Sequence, residues 1–135
     1  MPTALDIAAP LVALAEGFRT TAYQDSGGVW TIGFGRTGTD VVQGLTTTIE
    51  QESAWFAQRA GHLAAQIPIS TATLEAAALI DFGYNCGSGA LAAVLAGTDT
   101  IDNPKHMTDR HGNVQGGLVA RRKLEAVLIQ LSQGG

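Results

Sequence analysis

Hydrophobic residues recur at helical spacing near both ends of the chain. The first stripe predicts a helix over residues 4–18 that stops near Gly17, and Pro10 requires this helix either to start near residue 6 or to kink. The second stripe predicts a last helix over 117–132 whose apolar side faces the core. It consists of Leu124, Val127, Leu128 and Leu131.

The residues between these two stripes change from strand patterns to helix patterns. Segments 21–25 and 29–35 are rich in β-branched and aromatic residues around a Ser-Gly-Gly turn, which predicts a hairpin. Helices are predicted over 48–66, with Thr47 and Glu50 as a capping box, over 71–83 and over 89–96. A glycine-broken connection spans 83–89, and 97–116 is predicted to be a loop.

Together these elements predict an α+β fold in one domain over residues 1–135. A small hairpin lobe covers about 18–45, after the first helix. A larger helical lobe covers about 46–132 and includes the N-terminal helix.

Composition excludes several classes of protein. The formal net charge is −4, which disfavours a nucleic-acid binder. A single cysteine, Cys86, cannot form an intramolecular disulfide. No apolar stretch approaches the length of about 20 residues that crosses a bilayer, and no basic region precedes the first one, so we expect no stable membrane insertion and synthesis in a cytoplasm. The histidines at 62, 106 and 111 form no zinc-binding pattern, and we expect no metal.

Glu16, Asp25 and Thr31 could together carry acid–base chemistry. Glu16 closes the first helix away from its apolar stripe, where the negative end of the helix dipole favours the protonated carboxyl that a general acid needs. Asp25 and Thr31 flank the hairpin turn, where a carboxylate and a hydroxyl could hold one water. The same residues are also ordinary at a solvated helix end, in a turn and in a strand.

The stretch from Glu16 to Gly38 resembles the phage lysozymes of glycoside hydrolase family 24. Eight residues separate Glu16 from Asp25 and five separate Asp25 from Thr31, as in that family's pattern, and Trp-Thr-Ile-Gly follows at 30–33. Two further blocks, 78–87 and 117–125, are similar to the same family and occur in the same order. The resemblance covers nearly the whole chain.

The resemblance implies a lysozyme-like fold with an active site in the cleft between the lobes. It implies hydrolysis of the β-1,4 bond between N-acetylmuramic acid and N-acetylglucosamine in peptidoglycan, and hence lysis of the host cell, without a metal or cofactor. Glu16 would be the general acid, and Asp25 and Thr31 would position the attacking water. A hydroxyl beside the carboxylate favours an inverting mechanism, in which water attacks directly.

Further residues are candidates for the same site. Only one of two adjacent arginines is expected to face inward, and Arg121 is the one placed to reach Glu16. We expect Tyr84 and Asn85, in the glycine-rich connection, and Thr37 to contact the substrate. A helix-ending turn with a packed Tyr84 fits the connection equally well. Where the family commonly has histidine, this chain has Arg36, which either keeps an inter-lobe ion pair without its pH dependence or lies on the surface.

Two other functions fit the same residues less well. A non-catalytic glycan-binding or virion-associated module would have no need of a proton donor at Glu16. A lytic transglycosylase would form an anhydro product and would need no water site at Asp25 and Thr31. For the leading interpretation we expect a monomer whose partner is the glycan strand, made in the host cytoplasm and released to the periplasm through a holin.

Overall fold

The computed structural model of the protein describes residues 1–134. Helix α1 spans Ala4–Glu16. Its first turn is closed by a capping box, in which the Thr3 side chain accepts from the Asp6 backbone N–H and the Asp6 carboxylate accepts from that of Thr3. This cap lets the helix begin before Pro10, which lies exposed within it. The helix ends where Gly17 adopts a φ of 70°.

A two-stranded antiparallel hairpin follows α1, as predicted. Strand β1 spans Arg19–Gln24 and strand β2 spans Trp30–Gly33. Strand β2 is shorter than the predicted 29–35, because Gly33 and Gly35 have φ values of 62° and 88° and turn the chain back on itself. Ile32 and Arg36 then pair through two backbone hydrogen bonds of 2.9 and 2.8 Å.

Helix α2 spans Ile49–Gln66. The predicted capping box is wrong by one residue, because the Thr48 side chain accepts the hydrogen bond from the backbone N–H of Gln51. The Thr47 hydroxyl instead donates a 2.7 Å hydrogen bond to the buried carboxylate of Glu52. A bond to a charged buried group is stronger than a neutral cap, which explains the shift.

Helix α3 spans Thr73–Cys86 and is buried from Ala76 to Gly83. It packs against every other α-helix of the described residues, including the short α4, Ser88–Leu95. It passes through Gly83, where the sequence predicted its end. A Cβ at that position would lie 2.9 Å from Leu63 Cδ2 and 3.0 Å from Leu91 Cδ2. Gly83 therefore permits close packing, and the predicted connection over 83–89 shrinks to Gly87.

The stretch after α4 was predicted to be a loop, yet part of it packs on α3. Pro104–His106 forms a 3-10 turn, and the buried ring of His106 lies edge-on to Phe82 at 4.9 Å between centroids. His106 Nε2 is 2.8 Å from the Asp99 carboxylate. These contacts fix the connection to the last helix, α5, Gly116–Gly134.

The face that α5 buries is not the predicted one. Leu124, Val127 and Leu131 are 43%, 49% and 58% exposed. The buried residues of the helix are instead the polar Arg121, Arg122 and Glu125. Both arginines therefore face inward, which corrects the expectation that only one would. The buried Asp81 carboxylate of α3 accepts from Arg121, and Arg122 donates to Glu125 of its own helix and to the His106 carbonyl.

The described residues thus form five α-helices and one hairpin, which confirms the α+β class. Within them, no helix combines the length and the apolar character that a bilayer span requires.

Candidate active site

Glu16 occupies the last position of α1, with its side chain one-fifth exposed. Its Oε1 accepts a 2.8 Å hydrogen bond from a terminal guanidinium nitrogen of Arg121. A Cβ at position 35 would lie 2.8 Å from its Oε2, so only glycine lets the chain after the hairpin approach the carboxyl this closely. The predicted pairing of Glu16 with Arg121 is present.

Arg121 is held from the other side by Asp81 of α3. Its Nε and its second terminal nitrogen donate to the two Asp81 oxygens at 3.0 and 2.8 Å, in a bidentate fork. Burial acts to raise the pKa of Asp81, but hydrogen bonds from Glu125 and Arg121 outweigh it and keep that pKa below its usual value.

Sequence reasoning missed Asp81 as a site residue. The available signal was a charged residue inside the apolar run Ala-Ala-Ala-Leu-Ile-Asp-Phe, at a position that the helix buries on every side. A buried carboxylate requires a partner, and the two adjacent arginines of α5 were the basic cluster of the chain.

Asp25 lies exposed in the hairpin turn. Its Oδ1 accepts from the backbone N–H groups of Gly27 and Val29 at 2.8 and 2.9 Å, which fixes the carboxylate and leaves Oδ2 for another partner. Asp25 and Arg121 line the same cavity of about 920 Å³. Other residues around it come from α1, α5 and the preceding loop, and include Leu11, Leu14, Arg110 and Leu124.

Thr31 is nine-tenths or more buried, and its hydroxyl donates to the Val29 carbonyl at 3.0 Å. Thr31 stands opposite Tyr23 in the hairpin, and the backbone N–H of Asp25 bonds to the Val29 carbonyl. Asp25 and Thr31 are therefore diagonal neighbours on one face, a relation that separates Cα atoms by about 7–8 Å. The oxygen of Thr31 keeps its capacity to accept a hydrogen bond.

Tyr84 and Asn85 lie in the last turn of α3, not in the predicted glycine-rich connection. The Tyr84 hydroxyl donates a 2.7 Å hydrogen bond to the Phe34 carbonyl, next to the glycine that approaches Glu16. Burial raises the pKa of Tyr84, so the phenol stays protonated. Asn85 is half-buried, and Thr37 is exposed after the hairpin.

Arg36 forms the inter-lobe ion pair that was one of its two predicted roles. Its guanidinium donates to both carboxylate oxygens of Glu52 on α2, at 2.9 and 3.1 Å, and to Asp40 at 2.8 Å. The hydrogen bond from Arg36 lowers the pKa of Glu52, and burial only partly opposes this.

Within residues 1–134, no three His, Cys, Asp or Glu side chains are grouped so as to hold a metal ion. The arrangement offers instead a partly buried carboxyl on a helix end and an exposed carboxylate on a hairpin, in different environments. Two such carboxyls suit acid–base cleavage of a glycosidic bond.

The model of the phage lysozyme family matches residues 13–125, and the chain belongs to this family. It is an endolysin-type lysozyme, a hydrolase that breaks down peptidoglycan in the lysis of a bacterial host by a bacteriophage. No curated protein sequence matches the chain.

Solved structures share the fold. An endolysin from Escherichia coli O157:H7 phage FAHEc1 is 25% identical, with a TM-score of 0.72 over 91% of this chain and 90% of that one. The muramidase domain of SpmX from Asticaccaulis excentricus is 24% identical, with a TM-score of 0.69 over 90% and 93%. The active form of the P1 phage endolysin Lyz is 20% identical, with a TM-score of 0.74 over 94% and 84%.

Proposed function

We propose that the protein hydrolyses the β-1,4 bond between N-acetylmuramic acid and N-acetylglucosamine, with Glu16 as general acid. The observation that carries this proposal is the placement of Glu16, partly exposed at the end of α1, close to Gly35 after the hairpin and bound to Arg121, which lines one cavity with Asp25. Membership of the phage lysozyme family supports the substrate class.

In the proposed reaction, Glu16 gives its proton to the glycosidic oxygen as the bond to C1 of the muramic acid breaks. A water molecule attacks C1 from the opposite face, and Asp25 takes a proton from it. One water is consumed for each bond cleaved. Arg121 stabilises the carboxylate that Glu16 becomes, and exchange with solvent returns Glu16 and Asp25 to their starting states.

The position of Asp25 supports inversion. Its Oδ1 is occupied by two backbone donors, and Thr31 lies diagonally from it on the same face. A second acceptor near the carboxylate helps to orient a water, whereas a nucleophilic carboxylate needs direct access to C1. Inverting enzymes separate their carboxyls by about 6.5–9.5 Å and retaining ones by about 5–5.5 Å.

We propose that three further residues contact the substrate. Tyr84 offers an aromatic edge, Asn85 an amide and Thr37 an exposed hydroxyl after the hairpin.

The proposed reaction uses no metal or cofactor. We propose that the chain acts as a monomer on the glycan in the periplasm, after release through a holin.

The decisive experiment is digestion of purified peptidoglycan, with mass spectrometry and proton NMR of the first products. We expect fragments that have gained one water and a newly formed α-anomer at the reducing end, and none of these from Glu16→Gln. Anhydro fragments would instead identify a lytic transglycosylase, and a β-anomer a retaining hydrolase. Binding without fragments would identify a non-catalytic module.

A further inference from the structure

Behind Glu16, α3 and α5 enclose a group of buried charges that the proposed reaction does not use. Asp81, Arg122 and Glu125 are 2%, 3% and 1% exposed. Arg122 meets both Glu125 oxygens, at 2.8 and 3.0 Å, and lies over the Phe82 ring. Since buried charges are costly, these groups must be balanced within the cluster.

One residue, Arg121, connects this buried cluster to Glu16. Arg121 uses two nitrogens for Asp81 and has its remaining terminal nitrogen on Glu16. The cluster therefore contains three carboxyls, Glu16, Asp81 and Glu125, and two guanidinium groups. With all three carboxyls ionised it would carry one surplus negative charge, so the cluster favours a proton on one of them.

We propose that Asp81 is a positioning residue for Glu16, acting through Arg121. The fork fixes the guanidinium plane so that a single nitrogen faces Glu16, and Asp81 takes up part of the positive charge that would otherwise act on Glu16 alone. Without Asp81, the full charge of Arg121 would hold Glu16 in its ionised form, which cannot donate a proton. This inference rests on the proposed role of Glu16 as the acid.

The groups around these carboxyls come from several elements. Burial and the neighbouring Asp81 carboxylate raise the pKa of Glu125. Arg121 of α5 donates to Glu16, and Tyr84 of α3 lies close enough to feel its charge, while Asp25 lines the cavity beside Arg121. Asp81 is the carboxylate that shares Arg121 with Glu16.

The test compares pH–rate profiles of wild type, Asp81→Asn and Glu52→Gln. Glu52 is a matched control, because it is equally buried and forms a similar fork with Arg36, but it does not contact Arg121. For Asp81→Asn we expect the alkaline limb to move to lower pH by about one unit, and activity at neutral pH to fall about tenfold. For Glu52→Gln we expect a loss of stability and an alkaline limb of the pH–rate profile at the wild-type pH.

The proposal would be overturned if folded Asp81→Asn kept the alkaline limb at the wild-type pH. It would also be overturned if Glu52→Gln shifted that limb by the same amount. An inactive wild type would instead refute the proposed function. A second measurement does not depend on activity or on a foldable Asp81 variant: the NMR signal of Arg121 Nε–H should exchange slowly in both wild type and Glu16→Gln, since Asp81 binds this nitrogen. Exchange as fast as that of an exposed arginine would contradict the fork.

Discussion

The Tyr84 hydroxyl donates a 2.7 Å hydrogen bond to the backbone carbonyl of Phe34 and thereby ties α3 to the turn that follows the hairpin. The Phe34 ring packs in turn against Phe18 and Phe56, at 4.9 and 5.8 Å between centroids. These contacts set the position of Gly35, where an added Cβ would lie 2.8 Å from Glu16 Oε2. The predicted substrate residue Tyr84 thus also joins the two lobes.

Tyr84→Phe should lower the free energy of unfolding by about 1–2 kcal/mol, because the Phe34 carbonyl loses its donor while the ring packing remains. Urea denaturation measures the loss. Tyr23→Phe is the matched control, since its ring, covered by Arg19, is retained and its hydroxyl bears no such tie. An equal loss of unfolding free energy in both variants would show that the hydrogen bond from Tyr84 to Phe34 does not stabilise the fold.

Gly35→Ala should reduce activity by about a hundredfold, because the new Cβ would displace the Glu16 carboxyl. Gly28→Ala separates this effect from backbone strain. Gly28 also has a positive φ, of 80° against 88°, but a Cβ there meets nothing within 4 Å. Both variants should lose about 1–2 kcal/mol of stability, and only Gly35→Ala should lose lytic activity. Similar lytic rates in the two variants would show that the closeness of position 35 to the Glu16 carboxyl does not matter for activity.

Arg36→Met should destabilise the fold by about 3 kcal/mol at pH 7, because it leaves the Glu52 carboxylate buried without its cation. The pKa of Glu52 is lowered in the folded wild type, so this contribution is complete above the usual value of 4.5 and is lost as the pH falls through the lowered one. The gap between variant and wild type should therefore narrow towards pH 3.

Thermal melts across that range, at low and high salt, measure this gap. A melting temperature of Arg36→Met unchanged from wild type at both salt concentrations would leave Arg36 as a surface residue. A gap that widens on acidification would contradict the direction of the Glu52 shift.

The sequence predicted those parts of the fold that depend on local signals. The helix at 4–18, the hairpin and the pairing of Glu16 with Arg121 follow from periodicity, turn residues and family motifs. Gly83 was misleading because a glycine has two uses in a helix. It can end the helix, as Gly17 does, or admit close neighbours, as it does here against Leu63 and Leu91.

The face of α5 was mispredicted for a different reason. The leucine stripe obeys the helical period, but the helix buries Arg121, which binds Asp81 on α3, and the pair of Arg122 with Glu125. The hydrophobic pattern of one helix gives no information about charged residues on a neighbouring helix. The positions of Asp25 and Thr31 relative to bound glycan likewise depend on how the hairpin sits against α1 and α5.

The most direct test of the central claim is the lytic rate of Glu16→Gln on peptidoglycan, measured beside Glu50→Gln, the same substitution at an exposed site on α2. The amide retains the size of the side chain but cannot deliver a proton to the leaving oxygen. With a folded protein confirmed by its melting curve, we predict a fall in lytic rate of about 10²–10⁴-fold for Glu16→Gln and an unchanged rate for Glu50→Gln. Activity of folded Glu16→Gln within about tenfold of wild type, well short of the loss that removing a general acid causes, would contradict this prediction.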